Sequence, residues 1–247
     1  MMKTFRFTVS LALLVAMWEI VVLVTNPPTY ILPSPLSVIS TLVHEIGPFL
    51  SHAVSTFSNA FWGGVIGIAG GLLIGFGCAL SKSARWVAEP YLTIFQSFPR
   101  EAFFPLIVVW LGFGDLPKVV NAALLSMFPM AIITLDSLTN TRKDYMDLLN
   151  SWSATRLEIF VNCRLPAAVP ALVGGVRVAA PLALIGAVLG EFLGGSRGLG
   201  YVIVSAGSSF RVDRAFAAII ILALGGTLLV LSIDAIKEKF LIKYYQR

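Results

Sequence analysis

The chain has 247 residues, 57% of them hydrophobic and 13% charged, with a mean hydropathy of +0.86. A soluble domain is about 25% charged, and this much apolar surface does not fit inside one water-soluble core of this length. That excludes an ordinary cytosolic enzyme, a disordered chain and a nucleic-acid-binding domain; the net charge of +5 reports membrane orientation before anything else.

A helix crosses a bilayer with about 20 apolar residues. Six stretches reach that length, at roughly 7–24, 53–80, 91–111, 119–138, 168–193 and 215–236. They are too long and too uniformly apolar for barrel strands. Lys3 and Arg6 precede the first run and no small-x-small cleavage site follows it, so the sequence predicts an uncleaved first span. Six spans put both termini on one side. Twelve Lys and Arg residues fall in the segments of that side, against four (Lys118, Arg197, Arg211 and Arg214) on the other. The bias predicts cytoplasmic termini, with segment 139–167 inside and segment 26–52 outside.

The outer segment opens NPPTYILPSP, whose prolines exclude a regular helix. Val38, Ile39, Leu42, Val43 and Ile46 then form an i, i+3/i+4 stripe, which predicts a short interfacial helix. In the second span Gly63, Gly67, Gly71 and Gly75 recur every four residues. This spacing keeps to one helix face, so it predicts a groove of bare backbone where a neighbouring helix approaches closely. The seam is read either as static packing or as a surface that slides during transport.

The third span contains FQSFPREAFFPL at 95–106. Pro99 and Pro105 each remove a donor, and Arg100 and Glu101 bring charge to membrane depth. One reading is a broken helix lining a substrate route, with Gln96, Ser97, Arg100 and Glu101 as pathway candidates. The other is a local Arg100–Glu101 interaction or a shift in span boundaries. Arg177 and Glu191 share the fifth span but lie about 21 Å apart along its axis, too far to pair. Asp136 and Asp234 sit near cytoplasmic ends and are expected to reach headgroups or water. Glu191 sits beside Gly194, Gly195, Arg197, Gly198 and Gly200, where it is expected to meet a polar partner; it is a further pathway or proton-carrier candidate.

Several chemistries lack their residues. There is no GxxxxGK[ST] phosphate loop. HEIGPF at 44–49 has Phe49 where a zinc protease needs its second histidine, and His52 is the only other histidine. Cys78 and Cys163 are isolated and read as small core residues, not a disulfide or metal site. The chain is expected to be no enzyme and to bind no metal or other cofactor.

The largest inner segment reads TNTRKDYMDLLNSWSATRLEIFVNCRLPA. MDLLNSW and TRLEIFVNCRL are expected as two short helices joined near Ser153, with Pro166 ending the second. Leu148, Leu149, Trp152, Leu157, Ile159 and Phe160 are apolar residues that no membrane crossing requires. They point either to a protein partner or to packing beneath the bundle.

This segment resembles the inner-loop motif of permeases from binding-protein-dependent ABC importers: Glu-Ala-Ala, three residues, Gly, nine residues, Ile-x-Leu-Pro. In register with Leu165–Pro166, the motif's glutamate falls on Asp147, its alanines on Leu148 and Leu149, its glycine on Ser153 and its isoleucine on Cys163. YILPSP, FPREAFFPLIVVWLGFGDLPK and EFLGGSRGLGYVI resemble the nitrate/sulfonate/taurine branch, which includes vitamin-precursor importers. The resemblance implies an all-α, six-helix type I importer permease forming one transmembrane domain over residues 1–247, in a bacterial inner membrane. It implies a second permease copy, a cytoplasmic ATPase dimer holding ATP-Mg and an extracytoplasmic binding protein. It also implies that Asp147, Leu148, Ser151, Trp152, Ser153, Ala154, Thr155, Arg156, Leu157 and Phe160 couple the chain to the ATPase. A dimeric ion-coupled carrier using Glu191 or Glu101 is the alternative.

Overall fold

A computed structural model describes residues 2–140 and 155–245, without the side chains of residues 2–8 and 240–245 or those of Leu11, Thr93, Gln96, Ser97, Arg100, Glu101 and Arg156. The described residues are helical throughout, with short connections. The elements are α1 (Met2–Thr25), α2 (Pro35–His44), α3 (Ile46–Leu80), α4 (Lys82–Ser97), a 3-10 turn (Arg100–Phe103), α5 (Phe104–Leu111), α6 (Leu116–Thr139), α7 (Arg156–Ile159), a π-helical turn (Phe160–Arg164), α8 (Leu165–Gly194), α9 (Leu199–Ser208) and α10 (Val212–Tyr245).

The core is a sandwich of α3, α6 and α8. Small residues allow it: Ala122, Ala131, Ala168, Ala179, Ala183 and Ala187 are all but inaccessible to solvent. The end of the bundle holding residues 26–52, 112–118 and 195–214 is the one the charge bias assigns to the outside. There α2 starts at Ser34, whose hydroxyl accepts from Ser37 N at 3.2 Å, with Pro35 in the first turn. A helix is therefore present where the stripe at Val38, Ile39, Leu42 and Val43 predicts one. Trp18 ties α1 to it by donating Nε1–H to Pro33 O at 3.1 Å.

Two expectations need correction. The third span is interrupted, as the first reading of FQSFPREAFFPL has it, but its bounds differ. Its first piece, α4, starts at Lys82, before the apolar stretch, because Lys82, Arg85 and Glu89 occupy the polar side of an amphipathic helix; Ser81 caps it by accepting from Ala84 N at 3.2 Å. The second piece, α5, has eight residues. Among the described residues four helices are long and apolar enough to cross a membrane, at Ile46–Leu80, Leu116–Thr139, Leu157–Gly194 and Val212–Lys239. With α1 and the two-piece third segment added, the count of six holds only if a crossing need not be one continuous apolar helix. Pro166, secondly, does not end a helix. The backbone widens into a π turn, where Leu165 N–H reaches Phe160 O, five residues back. That turn absorbs the missing donor and the ring of Pro166. Helix therefore continues from the inner segment to the outer end, and Leu157–Gly194 spans 38 residues.

Candidate functional site

The α3–α6 contact is backbone against backbone. A Cβ at Gly63 would collide with Ala122 Cβ and Val119 O, at Gly67 with Ser126 Oγ and Ala123 O, at Gly71 with Met127 O and Met130 Cβ, and at Gly75 with Thr134 Cβ and Ala131 O. On the opposite side of α6, Asn121 Nδ2 donates to Gly186 O of α8 at 2.7 Å.

Between α4 and α5 the chain is unwound. Phe98 is extended (φ −85°, ψ 136°) and Ala102 N–H turns back to Pro99 O at 3.0 Å. Just before the break, Phe95 stacks on Phe128 with ring centroids 4.6 Å apart. Phe128 is twelve residues from Leu116 and eleven from Thr139, so the break lies at mid-depth of α6. Phe98 is 42% exposed on this chain. Non-helical backbone at membrane depth is tolerated only inside protein or beside a water-filled cavity.

At the outer end α9 is capped by other helices. Gly198 N donates to His52 Nδ1 at 3.1 Å, Leu199 N to Thr56 Oγ1 at 2.8 Å, and Gly200 N to Glu191 Oε2 at 2.9 Å. Thr56 Oγ1 in turn donates to Glu191 Oε2 at 2.9 Å. These are the orphan donors of a helix N-terminus, answered by α3 and α8. Gly198 has φ 117°, and a Cβ there would collide with the Glu191 carboxylate. Glu191 is 1% exposed; its polar partner, expected from the neighbouring glycines, is this backbone and Thr56.

Beside it lies a second polar group. Lys118, 2% exposed, donates from Nζ to Asp115 Oδ1 at 2.9 Å and to Arg197 O at 3.2 Å. Asn59 Nδ2 reaches the same Asp115 oxygen at 3.3 Å. The hydrogen-bonded Lys118 ammonium, foremost, holds the Asp115 carboxyl below its ordinary range. Farther along the outer surface Glu45 pairs with Arg211 at 3.1 Å and Arg214 at 2.7 Å, and Thr41 Oγ1 donates to Asp213 at 2.7 Å. The sequence assigns Arg211 and Arg214 only to the outer side. Nothing in their local sequence names partners more than 160 positions away.

Toward the inner end Arg177 and Asp234 form a two-pronged ion pair between α8 and α10. Asp234 is thus not simply directed to water or headgroups. Thr155 and Glu158 make a reciprocal capping box, with Thr155 N donating to Glu158 Oε2 at 2.7 Å and Glu158 N to Thr155 Oγ1 at 3.3 Å. The sequence carries the signal for this box as T-x-x-E at 155–158. Leu157 is 67% exposed, and Phe160 meets Phe76 of α3 edge-on at 6.4 Å. Asp147, Leu148, Ser151, Trp152, Ser153 and Ala154 lie outside the described residues, as does the first expected inner helix. Among the pathway candidates, the backbone puts 96–101 at the break, while Glu191 stands apart at the outer end. Among the described residues no His, Cys, Asp or Glu group is arranged to hold a metal.

A small-residue helical core, an interrupted span and helix termini held by buried polar side chains define a multi-pass membrane transport protein. Residues 67–241 match the family of binding-protein-dependent transport system inner membrane components. The chain belongs to that family: it is an ABC importer permease subunit, a transporter component and not itself an enzyme. It is 35% identical to a probable ABC transporter permease of Haemophilus influenzae, over 92% of this chain and 93% of the relative. It is 32% identical to the formylaminopyrimidine transport permease ThiX of Halalkalibacterium halodurans, over 94% and 91%. It is 27% identical to the putative aliphatic sulfonates transport permease SsuC of Bacillus subtilis, over 93% and 84%. In fold it is similar to a chain of the inward-facing MetNI methionine ABC transporter, with a TM-score of 0.67 over 77% of this chain and 95% of the other, at 19% identity. The type I importer permease fold and the inner-membrane location follow.

Proposed function

We propose that two copies of this chain form the transmembrane pathway of an importer. A binding protein outside delivers a small solute, and two cytoplasmic ATPases holding ATP-Mg drive it inward. The solute is a nitrate-, sulfonate- or taurine-like anion or a vitamin precursor, in line with the sulfonate and formylaminopyrimidine relatives. The observation that carries a pathway role is the break at 98–99: extended backbone between α4 and α5, beside the midpoint of α6, on a surface this chain leaves uncovered. The 38-residue helix Leu157–Gly194 supports coupling, because it joins the inner segment directly to the Glu191 contacts at the outer end. Segment 147–160 is the docking element for the ATPase in this reading.

Uptake by proteoliposomes containing the whole complex tests the proposal. Import that requires ATP and the binding protein supports it. Import driven by an ion gradient alone, without ATP, would establish the ion-coupled carrier instead. That alternative has the burial of Glu191 in its favour, but one Glu191 oxygen is already committed to Thr56 and Gly200.

A further inference from the structure

The first piece of the third span, α4, has one face in the core. Ala88, Leu92 and Phe95 recur at i, i+4 and i+7 and pack with Cys78 of α3 and Phe128 and Leu135 of α6. Beside that face a groove of about 850 Å³ runs along the helix, lined by Trp86, Val87, Glu89, Pro90, Tyr91 and Ile94. Its apolar side chains are uncovered: Trp86 is 81% exposed, and Val87, Tyr91 and Ile94 are each more than half exposed. The first turn of α4 is basic. Arg85 donates to Glu89 at 3.3 Å, whereas Lys82 is exposed and forms no ion pair among the described residues. Lys82 is therefore the uncompensated charge at this end of the groove.

Depth in the membrane separates these features in a particular order. Phe95 stacks on Phe128, at mid-depth of α6. Counted back along α4 at about 1.5 Å per residue, Trp86 stands about 13 Å from that level, Arg85 about 15 Å and Lys82 about 20 Å. The hydrocarbon core extends about 15 Å from its midplane and the headgroups a further 5–7 Å or so. Trp86 thus reaches the edge of the inner leaflet's hydrocarbon, where aromatic side chains anchor, and Lys82 reaches headgroup depth. The groove ends at Ile94, before the extended backbone at Phe98, so whatever fills it stays in the inner half of the membrane and clear of the break.

We infer that this groove is a binding site for an anionic phospholipid of the inner leaflet. One acyl chain lies along Val87, Tyr91 and Ile94, Trp86 packs at the level of the ester groups, and the phosphate accepts from the Lys82 ammonium. The apolar wall holds any lipid; the basic turn at headgroup depth is what selects an anionic one. Glu89, on the groove wall, does not oppose this because Arg85 neutralises it.

The test is quenching of Trp86 fluorescence by lipids with brominated acyl chains. The full chain is reconstituted in phosphatidylcholine vesicles carrying increasing fractions of brominated phosphatidylglycerol or of brominated phosphatidylcholine. The Trp86 signal is isolated as the difference between wild type and Trp86→Phe. Half-quenching should need about fivefold less phosphatidylglycerol than phosphatidylcholine, the preference that one uncompensated cation at the lipid surface confers. Lys82→Gln, a change at an exposed position, should bring the two half-quenching fractions together. Lys239→Gln, at the exposed inner end of α10, should leave them apart. Equal quenching of wild type by both lipids would overturn the headgroup selection. Equal losses from Lys82→Gln and Lys239→Gln would trace the preference to general surface charge and overturn the site. A Trp86 signal that neither brominated lipid quenches would show that protein, such as the second copy, covers the groove instead. None of these outcomes bears on the import reading.

Discussion

Glu191 Oε2 accepts the Thr56 hydroxyl at 2.9 Å across 135 residues of chain, and the same oxygen takes Gly200 N–H at 2.9 Å. One carboxylate oxygen therefore joins α3, α8 and the N-terminus of α9. In Glu191→Ala the Gly200 N–H loses its acceptor in a buried place, a cost of about 1–3 kcal/mol, while the Thr56 hydroxyl keeps only His52 O, at 3.2 Å. Glu191→Gln retains an acceptor oxygen of similar reach. Thermal unfolding of the purified chain in detergent should rank wild type above Gln and Gln well above Ala. An Ala variant as stable as Gln would show that this junction contributes little.

The glycine face gives a prediction that separates close approach from mere hydrophobicity. Leucine at Gly67 or Gly71 has no room against Ala123 O, Ser126, Met127 O and Met130. Val65 on the same helix is 46% exposed and accepts leucine freely. Overpacking commonly costs about 1–3 kcal/mol, and more where backbone must move. Gly67→Leu and Gly71→Leu should lower the yield of monodisperse protein sharply, while Val65→Leu matches wild type. Size-exclusion profiles of the three variants decide the matter.

The Arg177–Asp234 pair predicts non-additivity. Each partner lies inside an apolar helix, so removing one leaves the other without its counter-charge. Both side chains are partly exposed on this chain, which tempers the expected loss. Arg177→Ala and Asp234→Ala should each reduce thermal stability, and the double variant should lose less than the two losses added. Strict additivity in that double-mutant cycle would mean the charges do not interact in the folded protein.

These contrasts also mark what a linear sequence carries. The glycine spacing is local, so the helix period alone exposes the face at Gly63–Gly75. Pro99 likewise announces the break. Its position relative to Phe128 is not local, and the polar start of α4 at Lys82 hides from a search for apolar runs. Pro166 misleads because the helix-breaker rule assumes an α register, whereas the chain widens to a π turn just before it. Arg177 and Asp234 lie 57 residues apart on different spans, and only packing brings them together. Glu191 falls between these cases. Its glycine neighbours advertise a tight polar site, but Thr56 and His52 come from another helix altogether.

Coupling gives the last prediction. In the proposed importer, ATP binding moves the membrane helices through segment 147–160, and Leu157–Gly194 carries the motion as one helix to the outer end. An aromatic anchor buried at an interface commonly contributes about 2 kcal/mol or more. Trp152→Ala should therefore weaken retention of the ATPase roughly 30-fold, as 1.4 kcal/mol corresponds to a factor of ten. Asp147→Arg replaces an acidic contact with a basic one and should impair coupling without affecting membrane insertion, because the charge bias puts residue 147 outside the bilayer. Pull-down of the ATPase measures retention, and substrate-stimulated ATP hydrolysis in reconstituted complexes measures coupling. Thr155→Ala supplies an internal contrast. It removes the capping box with Glu158 and should fray the inner end of the long helix, reducing stimulation while the ATPase stays bound. If Trp152→Ala and Asp147→Arg both keep normal partner binding and normal stimulation, force enters the permease by another segment and the docking role of 147–160 is wrong.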